Sequence, residues 1–225
     1  MNISTRNPLL RCFVILSCVP AVFGADVSGH VRVLLGQQHE ESTTVVYALP
    51  LDANAPSPKP GRYVLKQENK TFVPHILAVP VGSTVTFPND DPIFHNVFSM
   101  SKPAPFDLGL YRAGASKSRV FDQAATYRVF CNIHPQMSAL LLVLPTSWIT
   151  KTNAQGAYRM ELPAGHYRIT AWSERSQPAT VDVDVASAPV SAPEMTLDET
   201  KFVELTHKNK FGQDYPPSAY RTPGR

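Results

Sequence analysis

Cys131-Asn132-Ile133-His134-Pro135-Gln136-Met137 places a thiol, an imidazole and a thioether within one short turn, at the spacing C-x-x-H-x-x-M. These donor types suit copper, which a blue-copper site holds with two His and one Cys in a plane and a long axial Met. One His is missing from the turn. It has to arrive from elsewhere in the chain, and His95, in FPNDDPIFHNVFS, is the best candidate. Taken alone, a free Cys is more often a small buried hydrophobe than a ligand. The added Met, the His95-Asn96 pair after a strand-like run, and TYRVF leading into Cys131 shift the balance toward a metal site.

The elements that must position these residues read as strands. VGSTVTF is entered through a Gly-Ser turn, with Val81, Val85 and Phe87 apolar. Asn89-Asp90-Asp91-Pro92 is a turn signal that drops the chain into His95. Period-two alternation puts His95, Val97 and Ser99 on one face and Phe94, Asn96 and Phe98 on the other. It likewise puts Tyr127, Val129 and Cys131 together, with Arg128 and Phe130 pointing away. ALLLVL, after Met137, reads as a core strand, and Pro135 stiffens the turn after His134.

TYRVFCNIHPQM resembles the last copper-binding loop of the cupredoxins, at the spacing of amicyanin rather than of the longer plastocyanin or azurin loops. VGSTVTFPNDDPIFHNVFS is similar to the strand and loop that bring the first His ligand in that family. The whole arrangement resembles bacterial methylamine utilization proteins, and the match spans residues 62–145. Ala124-Ala125 stand where the family usually has a Gly shortly before the strand Tyr.

The resemblance implies a cupredoxin Greek-key β-sandwich with one mononuclear type 1 copper, cycling between Cu(I) and Cu(II). His95, Cys131 and His134 would be the strong ligands and Met137 the weak axial one. Asn96 matches the Asn that ties the two ligand-bearing loops together, and Asn132 and Pro135 complete the surroundings that hold the ligands. The implied role is single-electron carriage between redox proteins, such as a periplasmic dehydrogenase or a c-type cytochrome, docking on the apolar surface of Ile133 and Pro135. The alternative is a carrier or scaffold in copper homeostasis. An oxidase or reductase needs further copper sites, and the other histidines form no His-x-His pairs, so no enzyme is expected.

The remaining candidates rank lower. Met100 belongs to no ligand-bearing turn. His30, His39 and His75 read as exposed or edge residues, His166 as structural and His207 as solvated.

Residues 1–24 read as a secretory signal peptide, with Arg6 and Arg11 ahead of the apolar run Cys12 to Phe23 and cleavage before Ala25. A lipid-anchored reading at Cys18 is the weaker alternative. Cleavage removes Cys12 and Cys18 and leaves Cys131 alone, so no internal disulfide can form. It also removes Arg6 and Arg11 from 21 basic residues, leaving 19 against 18 acidic. That near-neutral balance gives no basis for nucleic-acid or membrane-surface binding. A periplasmic monomer with no membrane insertion is expected.

The 225 residues include 21 prolines, which favour short strands and turns over long helices. An all-β chain with two units is therefore expected. The Pro-rich DANAPSPKPG at 52–61 marks a boundary. Residues 25–58 and 146–200 resemble a smaller carboxypeptidase regulatory-like, or prealbumin-like, β-sandwich, into which the copper unit at 62–145 is inserted. Residues 201–225 read as an extended tail.

Overall fold

The computed structural model describes residues 24–36, 43–52, 56–203 and 207–216. The expected signal segment, apart from Gly24, lies outside the described residues, as do Cys12, Cys18 and His39. The described chain is all-β, as its composition suggests, with eighteen strands and no helix among the described residues.

Two strands come first, β1 (Ala25–Leu34) and β2 (Val45–Pro50). Ten follow: β3 (Arg62–Val64), β4 (Lys66–Glu68), β5 (Thr71–Val73), β6 (Ile76–Pro80), β7 (Ser83–Pro88), β8 (His95–Ser99), β9 (Phe106–Tyr111), β10 (Ser116–Phe121), β11 (Ala125–Phe130) and β12 (Ser138–Leu144). The last six are β13 (Ile149–Lys151), β14 (Ala157–Leu162), β15 (Gly165–Trp172), β16 (Ala179–Val185), β17 (Val190–Ser191) and β18 (Met195–Asp198).

The middle strands build a five-stranded sheet in the order β6-β12-β11-β8-β9 and a three-stranded sheet β10-β7-β3. Leu65, Val85, Phe87 and Phe121 from the smaller side share one core with Val97, Tyr127, Val129, Leu141 and Val143 from the larger. β11 carries the alternation expected of a strand with one wet face: Tyr127 and Val129 are buried, Thr126 and Arg128 exposed. β8 departs from that pattern. All five of its residues are buried, and its register with β9 shifts between Asn96 and Phe98. Both its faces are covered, so period two does not separate inside from outside there.

The first two and last six strands pair with one another. One sheet runs β14-β1-β17, with β18 also on β1, and the other runs β13-β2-β15-β16. Val27, Val46, Met160, Leu162, Ile169 and Leu197 lie in the core between them. Gly29 is required by a close approach, because a Cβ there would lie 2.5 Å from the Tyr158 hydroxyl on the facing strand.

β12 explains its own unbroken apolar run. Ala139, Leu141 and Val143 face the core shared by the middle strands. Leu140, Leu142 and Leu144 face the other way and pack with Ile76 and Val45, against Tyr47 and Trp172. A strand covered on both faces reads as a continuous apolar run unless each polar side chain finds a buried partner.

Candidate metal centre

Three strand ends converge. β8 starts at His95, β11 ends one residue before Cys131, and β12 begins one residue after Met137. β8 and β11 are antiparallel neighbours, with Phe98 opposite Phe130. The connecting loop is clasped by its own backbone: the Met137 N–H donates to the His134 carbonyl at 2.9 Å, and the Cys131 N–H to the Met137 carbonyl at 3.2 Å.

Within this frame, Cys131 Sγ lies 3.7 Å from His95 Nδ1 and 3.7 Å from His134 Nδ1, and the two ring nitrogens are 3.1 Å apart. Among the described residues, these three form the group whose ligand atoms could hold a metal ion. The triangle has the size an ion needs. A point equidistant from its corners is about 2.0 Å from each, against about 2.0–2.1 Å for a metal–imidazole bond and about 2.3 Å for a metal–thiolate bond. Cys131 and His95 are fully buried, while His134 is half-buried. Met137 is fully buried in the same core as Cys131. Met100 is 60% exposed and outside that core.

Asp91 was not singled out from the sequence, yet it orients His95. Its Oδ2 is 2.7 Å from His95 Nε2. A carboxylate only accepts, so Nε2 carries a proton, and Nδ1 is the ring atom on the Cys131 side, a ligand atom once the ring is neutral. Asp91 is in turn held by the Asn69 and Lys70 N–H groups at 2.6 and 2.9 Å. Its own N–H donates to Asn89 Oδ1 at 3.1 Å. Burial opposes the charged form of Asp91, but these N–H donors and the His95 ring outweigh it and hold the carboxyl below its usual range. The available signal was an Asp four residues before His95, in a turn whose Asn and Asp fold back on the backbone.

The same balance applies to the ligand atoms. Burial pushes the Cys131 thiol up, while His95 and the backbone N–H groups of Asn96, Ile133 and His134 pull it down, and the net direction is down. Burial also disfavours a charged His95, but Cys131 and Asp91 reverse that and raise it. His134 is lowered by burial, then by repulsion from His95 and Lys70. These directions favour the thiolate of Cys131 and the neutral ring of His134, both forms that bind metal, while His95 holds the proton that a metal would displace.

Asn96 links the two ligand segments. Its Oδ1 accepts the Asn132 N–H at 3.3 Å, and its Nδ2 donates to Asp107 Oδ1 at 2.7 Å. Pro135 is buried, so it does not share the exposed docking surface expected of it with Ile133, and its carbonyl accepts from His207 Nε2 at 2.6 Å.

One further sequence reading changes here. His207 is not solvated: it is half-buried and stacked on Phe130, with ring centroids 3.8 Å apart and planes at 17°. Residues 207–216 therefore lie against the Cys131 loop, where the sequence read an extended tail because polar, Pro-rich stretches carry no periodicity. His75 is exposed, as expected, and also paired. Its Nε2 meets Glu174 Oε2 at 2.7 Å, and its Nδ1 the Ser138 carbonyl at 3.1 Å. His30 is exposed, near Glu194 at 3.2 Å, and His166 is exposed and paired with Asp184, as edge and structural positions would be.

No protein-family model matches the chain, and no curated protein matches it. Among solved structures, the chain is similar to a Cu-containing nitrite reductase from Thermus scotoductus SA-01, at 25% identity and TM-score 0.36 over 43% of this chain. It spans a quarter of that enzyme's length. A purple cupredoxin from Nitrosopumilus maritimus matches at 26% identity and TM-score 0.34, over 36% of this chain and 98% of its own. A reduced amicyanin variant matches at 25% identity and TM-score 0.35, over 44% of this chain and 99% of its own. Likenesses of this size leave function to be argued from the site itself.

Proposed function

We propose that the chain is a cupredoxin-like carrier of single electrons, built on one mononuclear type 1 copper held by His95, Cys131 and His134, with Met137 as the weak fourth donor. The observation that carries this is the triangle of one sulfur and two ring nitrogens, all within 3.7 Å of one another at the meeting of three strands. When bound there, copper would supply one-electron chemistry through a thiolate and two imidazoles. The protein's part is to keep those donors in place as charge changes: Asp91 fixes the His95 ring, Asn96 ties the loops, and the closed backbone of the Cys131 loop resists opening.

Complete burial of Cys131 and His95 favours retention of the ion over its delivery to another protein, so electron carriage is preferred to copper carriage. His134 is the half-buried ligand, and its neighbour Ile133 is 47% exposed. That apolar surface is the proposed docking face for a periplasmic dehydrogenase or a c-type cytochrome. Export to the periplasm and an insertion of 62–145 between 25–58 and 146–200 belong to the same reading. The insertion is supported by topology, since among the described residues no ladder joins β3–β12 to the other strands.

Reconstitution tests the centre. Cu(II) added to the metal-free protein is expected to give an intense blue thiolate-to-copper band, absent in Cys131→Ser. A colourless Cu(II) adduct of the unaltered protein rules the reading out.

A further inference from the structure

We infer that the C-terminal segment 207–216 is part of the metal centre, with Lys210 and His207 as positioning residues that hold the Cys131–Pro135 loop. This rests on the reading of that loop as a copper site.

Three attachments carry the inference. The Lys210 backbone N–H donates to Asn132 Oδ1 at 3.0 Å, and Lys210 Nζ reaches Asp107 Oδ2 at 2.8 Å. Asp107 is the carboxylate that holds Asn96, and Asn96 accepts from the Asn132 backbone. The ring Asn132–Asn96–Asp107–Lys210 therefore closes through the segment. His207 lies flat on Phe130, the residue before Cys131, and its Nε2 donates to the carbonyl of Pro135, the residue after His134. The Tyr215 hydroxyl is 3.5 Å from the Cys131 carbonyl, and its ring meets the His207 ring edge-on at 5.3 Å.

The segment is itself built to make these contacts. Asn209 and Gln213 pair through the backbone at 2.9 Å, and Asn209 Oδ1 accepts the N–H groups of Phe211 and Gln213 at 2.9 and 3.0 Å. Gly212 occupies the left-handed region at φ 77°, which the turn requires and glycine tolerates. A turn capped in this way aims Lys210 back at the loop.

None of these groups is placed on a ligand atom by the contacts above. They grip the backbone and side chains just before, at and just after Cys131 and His134, as supporting groups do around a metal site whose ligands must be preorganised. The segment enters from beyond the last strand of the other sheets, so the centre draws on the C-terminal chain as well as on the middle strands.

The test compares the full chain with a variant ending at Val203, and with Lys210→Met and His207→Ala in the full chain. Copper affinity is expected to fall roughly 10–100-fold without the segment, the size usual for lost supporting contacts, with a shifted or broadened thiolate band. In the metal-free proteins, alkylation of Cys131 by iodoacetamide is expected to speed up roughly tenfold in the truncated form, and less in each point variant, as the loop loosens. Circular dichroism checks that the sheets persist. The two point variants remain decisive should the truncated chain not fold. Unchanged affinity, band and alkylation rate in the variants overturn the inference. Failure of the full chain to give a thiolate-to-copper band overturns the copper reading instead, and the alkylation rates still report on the segment.

Discussion

The two sets of sheets solve the same packing problem and arrange their polar groups differently. In the middle strands, Gln67, Asn89, Asp91, His95, Asn96 and Ser99 are all buried, and several gather at the end where the ligand loops meet. In the outer set, charge pairs lie at the surface: Arg159 with Asp26, Arg168 with Asp182, His166 with Asp184. Burying a polar group costs free energy unless every donor and acceptor is satisfied, so a buried network has to be specified residue by residue. The outer set also buries Thr44, Thr170, Ser173 and Glu199, so the contrast lies in how the middle set gathers its buried polar groups around His95, not in their absence elsewhere. Between the two lies β12, which is apolar on both faces and joins them.

The seam is where the largest effect on stability is expected. Leu142 is 1% exposed and faces the outer set among Ile76, Leu140 and Leu144. Leu142→Ala removes buried methyl groups and leaves a cavity, at a cost of about 2–5 kcal/mol. Chemical denaturation measures it. A loss below about 1 kcal/mol would mean that the site collapses freely and the two sets merely adjoin.

Asp91 sharpens the contrast from the other side. Asp91→Ala leaves the His95 Nε2–H without its acceptor in a fully buried position, which costs about 1–3 kcal/mol. Copper affinity is expected to drop roughly 10–100-fold, because the ring is no longer held with Nδ1 toward Cys131. Competitive titration with a chelator reads the affinity. Unchanged affinity would show that packing alone orients His95, and the buried network would then be structural only.

What could be read from the sequence follows the same division. The convergence of His95, Cys131 and His134 was legible because their types and spacing are constrained by chemistry, and β11 because its alternation reports a single wet face. β12 was legible as a core strand, but not as a seam, since an unbroken apolar run does not say what covers each side. Asp91 was hidden inside a turn signal: Asn-Asp-Asp-Pro explains itself locally, so its contact with His95 left no separate mark. The tail was hidden more completely. Its contacts join residues up to 103 positions apart, such as Lys210 and Asp107, and they involve backbone carbonyls that sequence does not distinguish.

His75 tests the contrast at intermediate exposure. Hydrogen bonding to Glu174 raises the His75 pKa against the opposing effect of burial, and the same bond lowers that of Glu174. A raised folded-state pKa gives stability that is complete below the ordinary value of 6.5 and lost as pH rises through the folded value. A lowered carboxyl gives stability that is complete above its ordinary value of 4.5 and lost as pH falls through the folded value. Both contributions are complete between those two pH values. The His75 side chain is 49% exposed, so solvent screening limits the pair to about 0.5–1 kcal/mol. The melting temperature of His75→Gln is therefore expected to fall furthest below that of the unaltered protein at mildly acidic pH, with the gap closing as the solution becomes alkaline. A gap independent of pH would mean that His75 contributes packing and not charge.

Arg168 is the smallest effect and the cleanest control. It forms a two-point pair with Asp182, at 2.8 and 2.9 Å, directly across the β15–β16 ladder. Its geometry is at least as good as that of any contact around the metal centre. Its setting differs: both side chains are about half exposed, so water replaces each hydrogen bond as it is lost and salt screens the charges. Arg168→Ala should leave the melting temperature and the copper affinity unchanged within error. Were it to destabilise the protein as much as Asp91→Ala, hydrogen-bond geometry would matter more than burial, and the distinction between the two sets of sheets would lose its physical basis. An unchanged protein means that burial, not the number or quality of polar contacts, separates the end of the fold that can hold a metal from the part that supports it.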